Sequence, residues 1–490
     1  MTSVDVVMTA VTTITGSLAD VKTFYAAADD FTNEGDELVT ITDTTIIADD
    51  LATVNAATTG KVTLSGTVTA VTGAASKIHE VLDDSATGTE IAGLDTDATY
   101  TVSGETDTNI IAASDLNSIN TIVSTVVQID SSATTLKGDH DVVEVALIQN
   151  KQVADENDDA TGVETPTISG LDNLALTIDD GITRAELIAL QTNYTTGVIT
   201  ATIEESTMAE LLAETDGVNN IASGDAFSVV LTQTAINAAD LVELNGMTSG
   251  LITVEADDSG AGASTITGSL ADVKAIMEAK VDAGNGIKDD SVADAIIELD
   301  DVGSVSAADL NVVLAATSAD VDLNAGVTTI TGLIADVNTA LGDATLNSNA
   351  DGGANTQAVV ITDASVDAAA IATLIPDNAQ LTSGDITFIS SSLYGSYAEI
   401  NAIYETGGLI ADHIADSPGD ASNVYGLGAI NITIEGTTTT AEQARTVSGF
   451  TTGVVTATLA NTLTMDDLLD SATGLNAVSY THLRAHETQR

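Results

Sequence analysis

The feature that most restricts the fold is self-similarity: two phrases alternate along the chain. VTTITGSLADVKTFY (11–25) returns as STITGSLADVKAIM (264–277) and VTTITGLIADVNTAL (327–341), with a looser copy at 389–404. LVTITDTTIIADDLATVNAATTGKV (38–62) returns as FSVVLTQTAINAADLVELNGMTSGLI (227–252), and more loosely near 100–120 and 358–375. The longest internal match sets 195–215 against 451–471. A unit this short cannot bury its own apolar face, so copies must stack on one another.

Each phrase changes period midway. Val39-Thr40-Ile41-Thr42 alternates apolar and polar, as a strand with one buried face does. Ile47, Leu51 and Val54 then recur at helical spacing, as do Leu18, Val21 and Tyr25. Between the two halves stands a helix-start signature, Ser or Thr followed three residues later by Asp or Glu. It occurs as Ser17/Asp20, Thr183/Glu186, Thr207/Glu210, Ser269/Asp272, Ser306/Asp309, Ser396/Glu399 and Thr464/Asp467, with Asn237/Asp240 as a variant. The hydroxyl accepts an orphan amide of the first turn and the carboxylate faces the helix dipole, together about 1 kcal/mol. Gly60, Gly197, Gly250 and Gly453, after Thr-Thr or Thr-Ser, read as left-handed helix stops. The repeat is therefore strand, capped helix, glycine, strand, about 24–32 residues long. Strand–helix units in series give parallel strands. The expected fold is an α/β tandem-repeat solenoid with one long parallel sheet, roughly 16–18 units and about 80 Å long. The alternative is an all-β solenoid or an array of β domains, favoured by the richness in Thr, Val, Ile and Gly.

The array is expected to fill residues 1–477, less regularly at 128–167 and 342–357, with loop signals at 414–425. Residues 478–488, VSYTHLRAHET, resemble a translated sequencing-adapter sequence, so 478–490 are set aside as a non-native tail of a metagenomic fragment. This also sets aside His482 and His486, whose spacing imitates a metal pair. Met1 is followed by no basic and apolar leader, and the chain opens in mid-repeat; the expectation is an interior slice of a longer protein, whose cut ends would expose sheet edges for self-association.

Composition bears on partners. With 73 Asp and Glu against 12 Lys and Arg, the formal charge is -61, which repels nucleic acid and anionic membrane. No apolar run reaches membrane-spanning length. The absence of Cys removes disulfides, thiolate metal sites and Cys nucleophiles. A hydrophobic share of 44% is too high for disorder. Carboxylate repulsion is tolerable where salt screens it, which points to an extracellular setting in seawater or brine.

Three surface features were weighed as sites. Thr13/Thr15, Thr40/Thr42, Thr200/Thr202, Thr265/Thr267, Thr329/Thr331 and Thr456/Thr458 place hydroxyls on alternate strand positions. Stacked, they would form flat Thr columns that resemble the ice-binding faces of some solenoid proteins, or simply a solvated strand face. Acidic pairs, Asp158-Asp159, Asp257-Asp258, Asp289-Asp290, Asp300-Asp301 and Asp466-Asp467, offer hard oxygen donors that suit calcium, or a solvated acidic surface. No EF-hand loop and no glycine-rich calcium nonapeptide accompanies them. His79, His140 and His413 each lie beside carboxylates but lack a spaced partner. No nucleophile elbow, Walker loop or dinucleotide fingerprint occurs, and the basic residues are dispersed, so no enzyme and no cofactor beyond calcium is expected.

The phrases ITGSLADV (14–21 and 266–273), ITGLIADV (330–337) and TDTTIIADDL (42–51) resemble tandem repeats of very large surface or secreted proteins of marine bacteria, cyanobacteria included. That resemblance implies a structural or adhesive role at the cell surface, with extracellular polysaccharide or other surface proteins as partners. The expectation is a non-enzymatic stalk or spacer. Alternatives are a polysaccharide- or ice-binding module working through the Thr face, and a polysaccharide-acting enzyme.

Overall fold

In the computed structural model, the described residues are 6–7, 11–27, 31–32, 35–151, 167–213, 224–255, 264–282, 284–347, 355–375, 382, 384–405 and 424–460. The chain is mixed α/β, and among the described residues strands pair in parallel, as Thr13–Gly16 does with Leu38–Ile41. It divides into two compact units, one of residues 1–231 and 246–253, the other of the remainder.

The unit is legible at residues 38–57. Strand Leu38–Ile41 buries Val39 and Ile41. After a short bend, strand Thr45–Ile47 buries Ile46 and runs straight into helix Ala48–Ala57, which buries Leu51, Ala52 and Val54. Inward Val and Ile on strands meet Leu and Val of the helix, so one repeat supplies two walls of a core. The same chemistry recurs along the chain.

Most of the described strands pair with their counterpart about one repeat later; strand Lys280–Val281, whose partner Gly286–Lys288 follows directly, does not. In the first unit, Thr13–Gly16, Leu38–Ile41, Val62–Leu64 and Ile91–Ala92 form one sheet. Thr45–Ile47, Ala70–Ala74, Thr99–Ser103, Val127–Ile129 and Ile168–Ser169 form a second. A third includes Ile110–Ala112, Thr135–Gly138, Ala175–Ile182, Ile199–Ile203 and Ala226–Leu231. The second unit repeats the scheme with sheets Ala235–Asn237 to Leu346–Asn347, Gly303–Ser306 to Val424–Tyr425, and Ser365–Asp367 to Val455–Leu459. Register partners such as Thr13 and Leu38, Val39 and Val62, or Ser304 and Thr329 lie one repeat apart. Val127 pairs with Ile168 and Ser392 with Asn431, longer intervals that enclose the irregular stretches of sequence at 128–167 and 414–425.

The expectation of one long sheet is corrected. Some repeats, such as 38–57, carry two short strands separated by a bend, others carry one longer strand, such as Ala175–Ile182 or Asn431–Thr439, and the strands are shared among several parallel sheets. The all-β alternative is also excluded, because helices recur at repeat spacing: Leu18–Ala26, Ala48–Ala57, Ala75–Thr87, Ala113–Ile122 and His140–Asn150 pack in succession in the first unit. Helices Leu270–Glu278, Ala307–Ala316, Ile334–Gly342, Ala368–Leu374 and Tyr397–Tyr404 do so in the second.

The helix starts form as their sequence signatures imply. Ser17, Thr183, Thr207, Ser269, Ser306 and Ser396 each accept the amide three residues on, and Asn237 accepts that of Asp240. Thr183/Glu186 and Ser396/Glu399 are complete capping boxes, and the amide each carboxylate accepts holds its pKa below the usual range. Thr440/Gln443 is a further box that a search for acids overlooks. Thr464/Asp467 lies outside the described residues.

The glycine stops are real but have a different cause. Gly60, Gly197, Gly250 and Gly453 are not left-handed. A Cβ at these positions would stand 2.0 Å from Glu37 O, 2.1 Å from Leu174 O, 2.2 Å from Phe227 O and 2.3 Å from Ile430 O. The previous repeat's backbone passes too close for any side chain. Two residues earlier, a buried Thr ties the same junction. Thr58, Thr195, Thr248 and Thr451 donate to those same carbonyls and accept the glycine amide at 2.9 Å. Thr382 and Gly384 repeat the arrangement against Gln357.

Candidate functional site

The strand faces pointing away from the core were the leading sequence candidate. Thr15 stands beside Thr40, which stands beside Thr63, giving a column of hydroxyls that ends at Ala92. Thr13 lies next to exposed Leu38, and Thr42 turns its hydroxyl back to Gly16 O at 3.2 Å. A neighbouring column runs Ile47, Thr72, Thr101, Gln128, Ser169, with the Ser169 hydroxyl donating to Gln128 at 2.9 Å. In the second unit Thr265 sits between Ala235 and Ile296, and Thr267 between Asn237 and Glu298. Thr329 lies between Ser304 and Ala358, and Thr331 between Ser306 and Val360. The structure therefore brings three Thr side by side at Thr15, Thr40 and Thr63, sets Thr200 beside Thr177, Thr202 beside Ser228 and Thr456 beside Thr433, and mixes the others with amides, acids and apolar groups.

The Thr267 column becomes acidic as it continues. Glu298, Asp322 and Asn347 are successive lateral neighbours, and the Thr267 hydroxyl donates to Glu298 at 3.3 Å. Asp322 is only 8% exposed. Burial, followed by repulsion from Asp320 and Glu298, outweighs its hydrogen bond to Asn347 and raises its pKa above the ordinary 3.8. A raised folded pKa means the carboxyl stabilises the fold while protonated and loses that contribution as pH rises through the raised value. Asp322→Asn is therefore expected to stabilise the fold at neutral pH, by on the order of 0.2–1 kcal/mol for one like-charge cross-strand pair, and so to raise the melting temperature. The gain should vanish below about pH 4, a comparison made by thermal melts of both proteins across that range.

Many acids have a structural employment invisible in the sequence. The first amide of a helix donates to a carboxylate one repeat later: Leu18 to Asp43 at 2.6 Å, His140 to Asp180 at 2.8 Å, and Arg184 to Glu205 at 2.8 Å. Leu270 donates to Asp301 and Ile334 to Asp363, both at 2.7 Å. These carboxylates satisfy orphan amides at the positive end of the helix dipole. Asp301, read as a calcium candidate, is thus engaged by a helix, while adjacent Asp300 is exposed. Asp158, Asp159, Asp257 and Asp258 lie outside the described residues, as do Asp466, Asp467, His413 and the 478–490 tail. Among the described residues no group of three or more His, Asp and Glu side chains converges as metal ligation requires.

A cavity of about 330 Å³ opens between helices Leu270–Glu278 and Ala307–Ala316. Its charged rim is already paired: Lys274 Nζ lies 2.9 Å from Asp309 and 3.5 Å from Glu278. That hydrogen bond raises the Lys274 pKa and lowers that of Asp309. Other basic residues behave alike. Lys22 pairs with Asp50, Lys77 with Glu80, Lys137 with Asp179, and Lys280 with Asp289. His79 joins two helices, its Nδ1 2.8 Å from Asp115 and its Nε2 3.5 Å from Asp83, so its nitrogens face different acids. His140 is buried at a helix start beside Asp141. No helix among the described residues is long and apolar enough to cross a membrane. No protein family, curated protein or solved structure matches the chain.

Proposed function

We propose that the chain is a non-enzymatic structural and adhesive segment, a stalk or spacer of a large bacterial extracellular or cell-surface protein, built as an α/β solenoid. The observation that supports this reading is the register: most of the described strands pair in parallel with the strand about one repeat later. Such an array grows by addition of like units, so length is set by copy number. Several of the few bases pair with acids, and the excess of 73 Asp and Glu over 12 Lys and Arg leaves charge to act through solubility and screening. Calcium enters this reading only as a diffuse counterion.

Excision of residues 39–61 tests it, because Val39 and Val62 are register partners and the cut removes one repeat in phase. The shortened chain is expected to keep a helix–strand circular dichroism spectrum and a cooperative melt, alike in EDTA and in calcium. Removal of half that length should abolish the melt of the affected unit. Equal damage from both deletions would refute stacked, interchangeable repeats.

The Thr15–Thr40–Thr63 column supports a second reading, a binding face for polysaccharide or ice. Glycan binding or ice shaping by the intact chain that is lost in Thr40→Lys would favour it, whereas glycan turnover would favour an enzyme instead.

A further inference from the structure

The chain contains two Asn-Gly dipeptides in contrasting surroundings, Asn245-Gly246 and Asn285-Gly286. In such a pair the main-chain nitrogen of the glycine can attack the asparagine side-chain carbonyl. Ammonia leaves, a succinimide ring forms, and water opens it to an aspartyl or isoaspartyl residue. Glycine favours this step because it has no Cβ to hinder ring closure. The surrounding backbone decides whether the nitrogen can reach the carbonyl.

Asn245 and Gly246 lie within helix Ala238–Met247. There the helical dihedrals hold the following nitrogen away from the side chain, and the helix hydrogen bond occupies the Gly246 amide. Asn285 instead is exposed, outside helix and strand. It is flanked by Gly284 at φ 100° and Gly286 at φ 129°, backbone that side-chain-bearing residues avoid. Asn285 directly precedes strand Gly286–Lys288, which pairs with strand Lys280–Val281, Lys280 with Ile287 and Val281 with Lys288.

We propose that Asn285 is a site of spontaneous deamidation in the folded protein, whereas Asn245 is protected. The product carries one further negative charge. In the isoaspartyl form, an extra methylene enters the main chain directly before Gly286, the first residue of the paired strand. It displaces Gly286 and Ile287, so the Lys280–Ile287 register loosens. Lys280, which reaches Asp289 at 2.6 Å, then loses its fixed position.

The test incubates the full folded chain in mildly alkaline buffer and maps both peptides by mass spectrometry, with enzymatic methylation of isoaspartate as a second readout. The expected result is conversion at Asn285 with Asn245 intact, a one-step acidic shift on isoelectric focusing, and no such step in Asn285→Gln. Unfolding in denaturant should make Asn245 convert as fast as Asn285, which shows that the helix supplies its protection. An intact Asn285 after prolonged incubation, or equal conversion of both sites in the folded chain, would overturn the assignment.

Discussion

Gly250→Ala should be among the most damaging single-atom additions to the first unit, costing more than about 2 kcal/mol. The new Cβ would stand 2.2 Å from Phe227 O and 2.5 Å from Phe227 C. Backbone is on both sides of this clash, so no side-chain rotation relieves it. The strand must retreat, and with it go the Thr248 hydroxyl bond to Phe227 O at 2.6 Å and the Ser249 amide bond to Asp225 O at 2.8 Å. Gly246→Ala is the control. Nothing lies within 4 Å of the added atom, and the residue sits in a helix, where alanine is expected to stabilise by roughly 0.5–1 kcal/mol. Opposite shifts of the thermal midpoint for two Gly→Ala changes four residues apart would establish that the glycine acts through close approach. A neutral Gly250→Ala would mean the junction yields.

Phe227→Ala is expected to cost about 3–5 kcal/mol. Phe227 is fully buried in strand Ala226–Leu231 and lies beside Ala201, whose small side chain leaves room for the ring. The equivalent junction residues of other repeats, facing their own Thr and Gly, are Leu174 and Ile430. Phe227→Leu should therefore be tolerated, at under roughly 1.5 kcal/mol. Denaturation curves of the two variants decide this. Equal losses would mean that the position requires the aromatic ring itself rather than repeat-type aliphatic packing.

The junction explains why one signal was legible and its meaning was not. Thr-Thr-Gly after each helix is visible as a recurring string, and the inference that the helix ends there is correct. Its cause, the carbonyl of the preceding repeat, comes from residues some two dozen positions upstream, which a local reading of turn propensity does not reach. Glu37 illustrates the same limit. It occupies the position of Phe227 and Leu174 and is buried, with its Oε2 accepting the Gly35 amide at 2.8 Å. Nothing in its neighbourhood of the sequence distinguishes it from the many solvated acids.

The surface divides similarly. The Thr-x-Thr alternation correctly places Thr13, Thr15 and Thr40 away from the core, because strand period alone sets which face a residue takes. Which residues then become neighbours depends on register, and register puts Glu298 and Asp322 beside Thr267 instead of further hydroxyls.

Everything that depends on chain neighbours is therefore readable from the residues in order: strand and helix periods, the capped helix starts at Ser17, Thr183 and Ser396, the repeat length and the inward-facing residues. These rest on backbone hydrogen bonds and side-chain directions within a few residues. Everything that depends on the next repeat emerges only in the folded chain: the division into several parallel sheets, the close approach at Gly60 and Gly250, and the engagement of Asp43 and Asp301 by helix amides one repeat earlier. Those interactions join groups distant in sequence, and the stacking register that brings them together is a property of the assembled array.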